Sequence, residues 1–251
     1  MTPIYLADTA TEHARRLARQ FQLPILSELP DSGEYLLADA EGVSLCRAGE
    51  KGRVRVDFGG GAAQYRRTKG GGELIAKAVN HTTNPTVWDG TGGLGRDSFV
   101  LASLGLNVHT FEQHPAVACL LADGLERALQ APEIQDIARR MTFHYGNAVE
   151  LMRELAAQSR PDIVYLDPMY PERQKSAAVK KEMAYFHSVV GATQEEAELL
   201  AAARAVAKKR VVVKRPRLGE FLNCEKPAYQ YTGKSTRFDV YLPDYPVKDG
   251  E

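Results

Sequence analysis

Short runs of apolar residues alternate with longer amphipathic stretches from residue 73 to the end of the chain. The apolar runs have the length of strands, and the amphipathic stretches repeat their apolar positions with helical spacing. We predict strands at 86–89, 107–112, 141–145, 163–167 and 210–214, helices at 73–79, 97–104, 115–129, 149–157 and 195–208, and a closing hairpin formed by 228–231 and 238–242. This alternation is typical of a parallel, doubly wound α/β sheet, to which the hairpin adds an antiparallel edge.

Residues 1–68 have a different pattern, in which short apolar runs are separated by glycine turns. The pattern predicts a helix at 11–21 and strands at 35–39, 43–46 and 53–58, the first two strands forming a hairpin. We therefore expect a small α+β amino-terminal domain at 1–68, followed by the main α/β domain at 69–251.

The composition is that of an ordinary globular protein. The chain has 251 residues, of which 44% are hydrophobic and 25% charged, and its formal net charge is zero. Zero net charge argues against a protein that coats nucleic acid without specificity. No stretch approaches the roughly 18 consecutive apolar residues of a membrane span, and the amino terminus lacks the pattern of a signal peptide. We expect a cytoplasmic protein with no membrane partner.

The cysteine and histidine positions predict no metal site. Cys46, Cys119 and Cys224 lie far apart in the sequence, and the six histidines form no H-x-x-x-H cluster. We expect three reduced thiols, mostly buried, and no bound metal.

A glycine-rich turn follows the first predicted strand of the main domain and leads into a helix. Gly90, Gly92 and Gly95 match the G-x-G-x-x-G fingerprint, in which the backbone turns sharply and approaches a ligand closely. Glu112 ends the second strand 23 positions after Asp89, where a carboxylate binds the ribose hydroxyls of an adenosine-containing cofactor. The turn predicts such a cofactor and leaves two classes open, NAD and S-adenosylmethionine (SAM).

Acidic residues around the turn favour SAM. Asp89 directly precedes the glycines, where a carboxylate would repel a pyrophosphate but attract the ammonium and sulfonium groups of SAM. Asp97 lies in the first turn of the next helix and likewise suits a cation, although an acidic residue also stabilises a helix N-terminus by itself. We expect Arg96 to pair with the cofactor carboxylate or with Asp97. An NAD-dependent oxidoreductase is the less favoured alternative.

A second motif, Asp167-Pro168-Met169-Tyr170-Pro171, follows the fourth predicted strand. The Asp167 carboxylate and the Pro168 carbonyl supply two acceptors for the N–H groups of an exocyclic amine, and Tyr170 supplies a ring that stacks on a base. Positioning of the amine nitrogen against a methyl group supplies much of the rate acceleration. A simple Asp-Pro turn with a half-buried tyrosine is the structural alternative. The motif predicts methyl transfer to an amine on a nucleic-acid base, with these three residues catalytic.

Basic residues flank the carboxyl ends of two predicted strands. Arg173 and Lys175 follow the second motif, and Lys214, Arg215 and Arg217 follow the fifth strand. Substrates of open α/β sheets bind at this edge, so we interpret these five side chains as candidates for phosphate contacts with RNA. A solvated helix or strand end is the alternative.

These motifs resemble the bacterial small-subunit ribosomal RNA (guanine-N2)-methyltransferase J family. The resemblance rests on residues 89–102, 111–112, 166–171 and 213–216 and extends over nearly the whole chain. It implies a Rossmann-like class I methyltransferase fold, SAM as methyl donor, and a guanosine of 16S ribosomal RNA as acceptor. With the turn residues Asp89, Gly90 and Gly92, it implies cofactor contacts at Arg96, Asp97, Glu112, Gln113, Asn147, Ala148 and Asp167.

The sequence departs from the pattern of that family at three places, the first being Gly90 and Gly92, which replace part of the usual small residues of the first loop without expected effect. Gln113 stands where the family often has arginine, and Asn147-Ala148 stands where serines are common. The Asp-Pro-x-Tyr motif does not distinguish between RNA and DNA substrates. A methyltransferase acting on a base amine of DNA or of another RNA is therefore the alternative within the same enzyme class.

Overall fold

The computed structural model describes residues 1–60, 72–168 and 196–244, which form two β-sheets. The elements of the amino-terminal region are β1 (Ile4–Leu6), α1 (Glu12–Gln20), β2 (Ile25–Leu26), β3 (Glu34–Asp39), β4 (Gly42–Arg47) and β5 (Arg53–Val54). The strand order of the smaller sheet is β2-β1-β3-β4-β5. The predicted helix and hairpin are confirmed. Strands β1 and β2 were not predicted, because runs of three and two residues are too short to show an alternating pattern.

The larger sheet and its helices are formed by the residues from 72 onward. Their elements are α2 (Gly72–Ala78), β6 (Val87–Asp89), α3 (Arg96–Ser103), β7 (Val108–Glu112), α4 (Pro115–Gln130), α5 (Gln135–Ala138), β8 (Met141–Tyr145), α6 (Ala148–Ala156), β9 (Ile163–Leu166), α7 (Glu196–Val206), β10 (Arg210–Pro216), β11 (Tyr229–Thr232) and β12 (Thr236–Tyr241). Single 3₁₀ turns lie at His81–Thr83 and Leu222–Cys224. The predicted strand–helix alternation is confirmed.

The larger sheet is mostly parallel and has the order β11-β12-β10-β9-β6-β7-β8. Strands β6 to β10 pair with their neighbours in parallel, whereas β12 is antiparallel to both β10 and β11. The closing hairpin therefore exists as predicted, but β12 lies inside the sheet and β11 forms the edge. This is a doubly wound, Rossmann-like arrangement, in which the direction of winding changes between β6 and β9.

Helices cover both faces of the larger sheet. Apolar residues of α2, α3 and α4 share one core cluster with β6, β7 and the amino-terminal sheet. Apolar residues of α6 and α7 form a second cluster against the opposite face. Because both faces are buried, the central strands are almost continuously apolar, as parallel sheets require.

The amino-terminal sheet packs on helix α4. Gly124 allows the close approach, since a Cβ at this position would lie 2.3 Å from Cγ1 of Val56. The guanidinium of Arg127 donates to the carbonyl oxygen of Val56 at 2.6 Å. The amino-terminal region thus shares a continuous core with the larger sheet. The predicted domain boundary at residue 68 lies outside the described residues.

The structure reports directly on thiols, membrane spans and metal ligands. Cys46 and Cys119 are buried, Cys224 is exposed, and all three are free. No helix within 1–60, 72–168 and 196–244 is both long and apolar enough to cross a membrane. In the same ranges, His, Cys, Asp and Glu side chains do not gather in groups of three or more that could hold a metal ion.

Candidate active site

The two sequence motifs meet at the carboxyl edge of the larger sheet, where β6 and β9 lie side by side. The N–H of Gly90 donates to the carbonyl oxygen of Tyr165 at 3.0 Å. The N–H of Asp167 donates to the hydroxyl of Thr91 at 2.6 Å. The glycine turn and the start of the second motif therefore share the point where winding reverses, which is where open α/β sheets bind ligands.

The glycine turn is closely packed against its neighbours. The N–H of Gly92 donates to the carbonyl oxygen of Phe111 at 2.8 Å, and a Cβ on Gly92 would lie 2.5 Å from Cγ2 of Thr110. Gly95 has a φ of +71° and occupies the N-cap position of α3. A side chain at either position would clash or strain the backbone, so the glycines are required to bring this loop onto β7.

Asp89 holds the turn from beneath. It is 1% exposed and accepts hydrogen bonds from the Thr91 N–H at 3.0 Å and from the Ser98 hydroxyl at 2.5 Å. Ser98 in turn accepts from the Thr110 hydroxyl at 2.9 Å. Burial raises the pKa of Asp89 to about 7, although the bonds from Ser98 and Thr91 favour the ionised form. Both carboxylate oxygens of Asp89 are hydrogen-bonded within the protein, so Asp89 stabilises the conformation of the turn. Its direct contact with a cofactor stays a prediction.

Glu112 joins the turn to the end of β7. One carboxylate oxygen accepts from the N–H of Gly93 at 2.9 Å and the other from the N–H of His114 at 2.6 Å. Burial raises the pKa of Glu112. A carboxylate has about four acceptor sites, so capacity remains for the hydroxyl groups of a ribose. This is the position that the sequence predicted for a ribose-binding acid.

Gln113 and Asn147 contact each other beside Glu112. The Asn147 side-chain oxygen caps helix α6 by accepting from the N–H groups of Val149 and Glu150 at 2.9 and 3.2 Å. Its amide nitrogen donates to Oε1 of Gln113 at 3.1 Å. Gln113 and Asn147, which both depart from the family pattern, are therefore joined by a hydrogen bond, and Ala148 follows as the first residue of α6.

Lys214 lies between two carboxylates. Its Nζ donates to Oδ2 of Asp97 at 2.6 Å and to Oδ2 of Asp167 at 2.8 Å, and the Tyr165 hydroxyl donates to the same oxygen of Asp97 at 2.6 Å. Burial alone would lower the pKa of Lys214, but the two carboxylates outweigh it and raise that pKa. Burial raises the pKa of Asp167, and the Lys214 ammonium opposes this. The predicted phosphate contact of Lys214 is corrected, because its ammonium is bound inside the site.

Arg215 is also corrected as a phosphate contact. It is 4% exposed, and its Nε donates to the carbonyl oxygen of Glu220 at 3.1 Å. Side chains alternate along a strand, so Arg215 points away from the face that carries Lys214. Arg217 follows the strand and is exposed at the same edge of the sheet, which leaves it available to a ligand.

The remaining predicted residues divide into two groups. Pro168 is buried directly after Asp167, and Arg96 is half-buried as the first residue of α3. Tyr170, Arg173 and Lys175 lie outside the described residues, so their predicted roles stay predictions.

Thr91 and Tyr165 connect parts of the site and were not predicted from the sequence. Thr91 was overlooked although it is a hydroxyl residue between two glycines of the turn. Tyr165 was assigned only to the strand core, and a tyrosine within the aliphatic run Ile163–Leu166 was the available signal, because a buried phenol needs a hydrogen-bond partner.

Comparison with known proteins identifies the fold and the cofactor class. A family model described as "Putative SAM-dependent methyltransferase" matches residues 16–243. The chain belongs to this family. The match decides between the two cofactor classes in favour of SAM over NAD, and the mostly parallel, Rossmann-like sheet is that of a class I SAM-dependent methyltransferase.

Curated relatives of this SAM-dependent methyltransferase cover nearly its full length. A Ribosomal RNA small subunit methyltransferase J from Neisseria gonorrhoeae is 69% identical over 244 residues, which are 97% of this chain and 98% of the relative. A protein of the same name from Chromobacterium violaceum is 47% identical over 248 residues, 96% of each chain. The crystal structure of a SAM-dependent methyltransferase from Neisseria gonorrhoeae superimposes with a TM-score of 0.85 at 63% identity and covers 100% of this chain and 99% of that one.

Proposed function

We propose that this methyltransferase transfers a methyl group from SAM to the exocyclic N2 amine of a guanosine in small-subunit ribosomal RNA. The names of the relatives from Neisseria gonorrhoeae and Chromobacterium violaceum support the RNA substrate. The Asp-Pro-Met-Tyr motif at 167–170 supports an amine as the acceptor, and the family resemblance supports guanine N2.

The described residues fit SAM. The glycine turn packs on β7 because Gly92 has no Cβ, and it lies beside Glu112, which accepts from the N–H of Gly93 at 2.9 Å. Glu112 supplies acceptors for the ribose hydroxyls, while Gln113 and Asn147 supply amide groups suited to the adenine edge. Asp97 and Asp167 supply negative charge for the cationic portion of the molecule. SAM, when bound here, supplies a methyl group on a sulfonium leaving group.

The observation that carries the proposal is the double anchoring of Asp167. Its N–H is bonded to Thr91 of the cofactor turn at 2.6 Å, and its carboxylate is bonded to Lys214 at 2.8 Å. The acceptor for the amine is thereby fixed at hydrogen-bond distance from the loop that holds the methyl donor. Fixed orientation of this kind supplies much of the acceleration of a methyl transfer, up to about 7–11 kcal/mol in favourable cases.

Asp167 and Pro168 bind and orient the amine of the base. The Asp167 carboxylate and the Pro168 carbonyl accept the two N–H bonds of the guanine amine, which directs the nitrogen lone pair at the methyl carbon. With SAM held by the turn and Glu112, the nitrogen would take the methyl group, and the sulfur would leave with the electron pair of the broken sulfur–carbon bond. Asp167 then accepts the proton that nitrogen must lose. A paired or stacked guanosine has to be extruded before it reaches this point.

The test is a methylation assay with labelled SAM. Small ribosomal subunits that lack the modification are the substrate, and the RNA is digested to nucleosides after the reaction. We expect label in N2-methylguanosine, and we expect Asp167→Ala to abolish it while S-adenosylhomocysteine still binds, with lower affinity. Parallel reactions contain protein-free 16S RNA, large-subunit RNA and DNA. Label in DNA alone would support the alternative substrate, and absence of label in every RNA would refute the proposal.

A further inference from the structure

Lys214 contacts Asp167 from the neighbouring strand β10. Val213 of β10 pairs in register with Leu166 of β9, so the next residues, Lys214 and Asp167, lie level with each other at the carboxyl edge. The Lys214 ammonium bonds Oδ2 of Asp167 at 2.8 Å and Oδ2 of Asp97 at 2.6 Å. The Tyr165 hydroxyl completes the set by donating to Asp97 at 2.6 Å.

This arrangement concentrates negative charge around one cation. Asp167 is faced by Lys214 from β10, Asp97 from α3, Tyr165 from β9 and Asp89 from β6. Burial raises the pKa of Tyr165 well above its ordinary value, so the phenol stays neutral and serves as a donor. Without the ammonium, two partly buried carboxylates would share the site, and such a pair takes up a proton. A protonated carboxyl presents a donor where the guanine amine needs an acceptor.

We propose that Lys214 is a positioning residue that keeps the Asp167 carboxylate ionised and fixed for the acceptor amine. The inference rests on the proposed function and adds to it a residue whose ammonium acts through Asp167 and does not touch RNA. Lys214 contacts Oδ2 of Asp167. The second carboxylate oxygen has capacity for the amine N–H. Two of the three ammonium donors are bonded to carboxylates, which fixes the side chain on both sides.

Three variants separate charge from bulk. Lys214→Met keeps the length of the side chain and removes the charge, whereas Lys214→Arg keeps the charge with a different head group. Lys209→Met makes the same replacement at the other end of the sheet, where Lys209 forms an ion pair with Asp162 at 3.4 Å. Thermal unfolding of each variant and its affinity for S-adenosylhomocysteine report folding and the cofactor pocket separately from the chemistry.

The deciding measurement is kcat on the small-subunit substrate as a function of pH. At pH 7 we expect the kcat of K214M to fall about 100-fold, the size of loss that displacement of a reacting group by about 1 Å produces. Its rate should then rise about tenfold per pH unit toward alkaline pH, as for a single deprotonation. K214R should keep the pH profile of the wild type with a loss below about tenfold, and K209M should match the wild type. A folded K214M with a wild-type rate and profile would overturn the inference.

A second measurement is independent of the substrate. The Asp167 carboxyl is followed by ¹³C NMR in the full-length protein, with Asp167→Asn used to assign its signal. The midpoint of the Asp167 titration should move to higher pH in K214M and stay unchanged in K209M. If the wild type methylates no RNA, the proposed function fails while this titration still tests Lys214. If methylation occurs and neither the titration nor the pH profile moves, the inference fails and the proposed function stands.

Discussion

The hydroxyl of Thr91 connects Asp167 to Asp89. It accepts from the N–H of Asp167, 76 positions away in the sequence, at 2.6 Å, and it donates to Oδ1 of Asp89 at 3.3 Å. One side chain therefore couples Asp89, which shapes the glycine turn, to Asp167, which we propose accepts the N–H of the substrate amine. A change at Thr91 should disturb both functions together.

Thr91→Val removes this hydroxyl at nearly constant volume. The Asp167 N–H then has no partner from the turn, and an unsatisfied buried donor costs about 1–3 kcal/mol. We expect kcat to fall by about tenfold to 100-fold, since the reacting carboxylate is displaced. Steady-state kinetics and urea unfolding measure the two effects. Thr91→Ser restores the hydroxyl and should recover most of the rate, whereas an equal loss in both variants would contradict the role of the hydrogen bond.

Asp89→Asn tests the buried carboxylate through the pH dependence of stability. The pKa of Asp89 is raised to about 7 in the folded protein, whereas an unfolded chain has an Asp pKa of about 3.9. The folded state therefore binds more protons between these values, and the free energy of unfolding falls as pH rises through them, by up to about 1.4 kcal/mol per pH unit. The asparagine variant lacks this dependence.

The measurement is urea unfolding of both proteins at a series of pH values. The free energy of unfolding of Asp89→Asn minus that of the wild type should rise from about pH 4 to about pH 7 and then level off. A difference that is constant across this range would mean that Asp89 is ionised in the folded protein throughout.

The local sequence pattern was sufficient to predict the longer helices and strands. The contacts between side chains in the site could not be predicted, because they depend on the order of the strands in the sheet. The helix at 115–129 was predicted within one residue of Pro115–Gln130, because its apolar spacing and its first-position proline are local signals. The ion pair between Lys214 and Asp167 exists because β10 lies beside β9. A lysine after an apolar run is read equally well as a phosphate ligand, so its partner could not be assigned before the pairing was known.

Asn147→Ala tests the pair that lies beside Glu112. The change removes the N-cap of α6, which costs about 1 kcal/mol, and also the amide that donates to Gln113. Gln113→Ala breaks the same contact and leaves the cap intact. We expect both variants to bind S-adenosylhomocysteine about threefold to tenfold more weakly, the range that a neutral hydrogen bond of about 0.5–1.5 kcal/mol gives. The Asn147 variant alone should unfold at lower urea concentration. Unchanged binding by both would place the adenosine elsewhere.

Arg217→Ala tests the predicted contact of Arg217 with RNA phosphates at the carboxyl edge. The loop that carries Arg217 is fixed from below, because the buried guanidinium of Arg237 donates to the carbonyl oxygens of Arg217 and Gly219 at 2.9 and 2.7 Å. The variant therefore removes one exposed charge and keeps the backbone bonds of the loop. A lost phosphate contact weakens binding at low salt and reduces the slope of log affinity against log salt by about 1. We expect KM to rise and kcat to stay constant.

Arg153→Ala removes an exposed arginine from the last turn of α6, at the opposite end of the sheet, and should change neither quantity. Equal effects of the two variants would show that the contribution of Arg217 is general charge and not a specific contact.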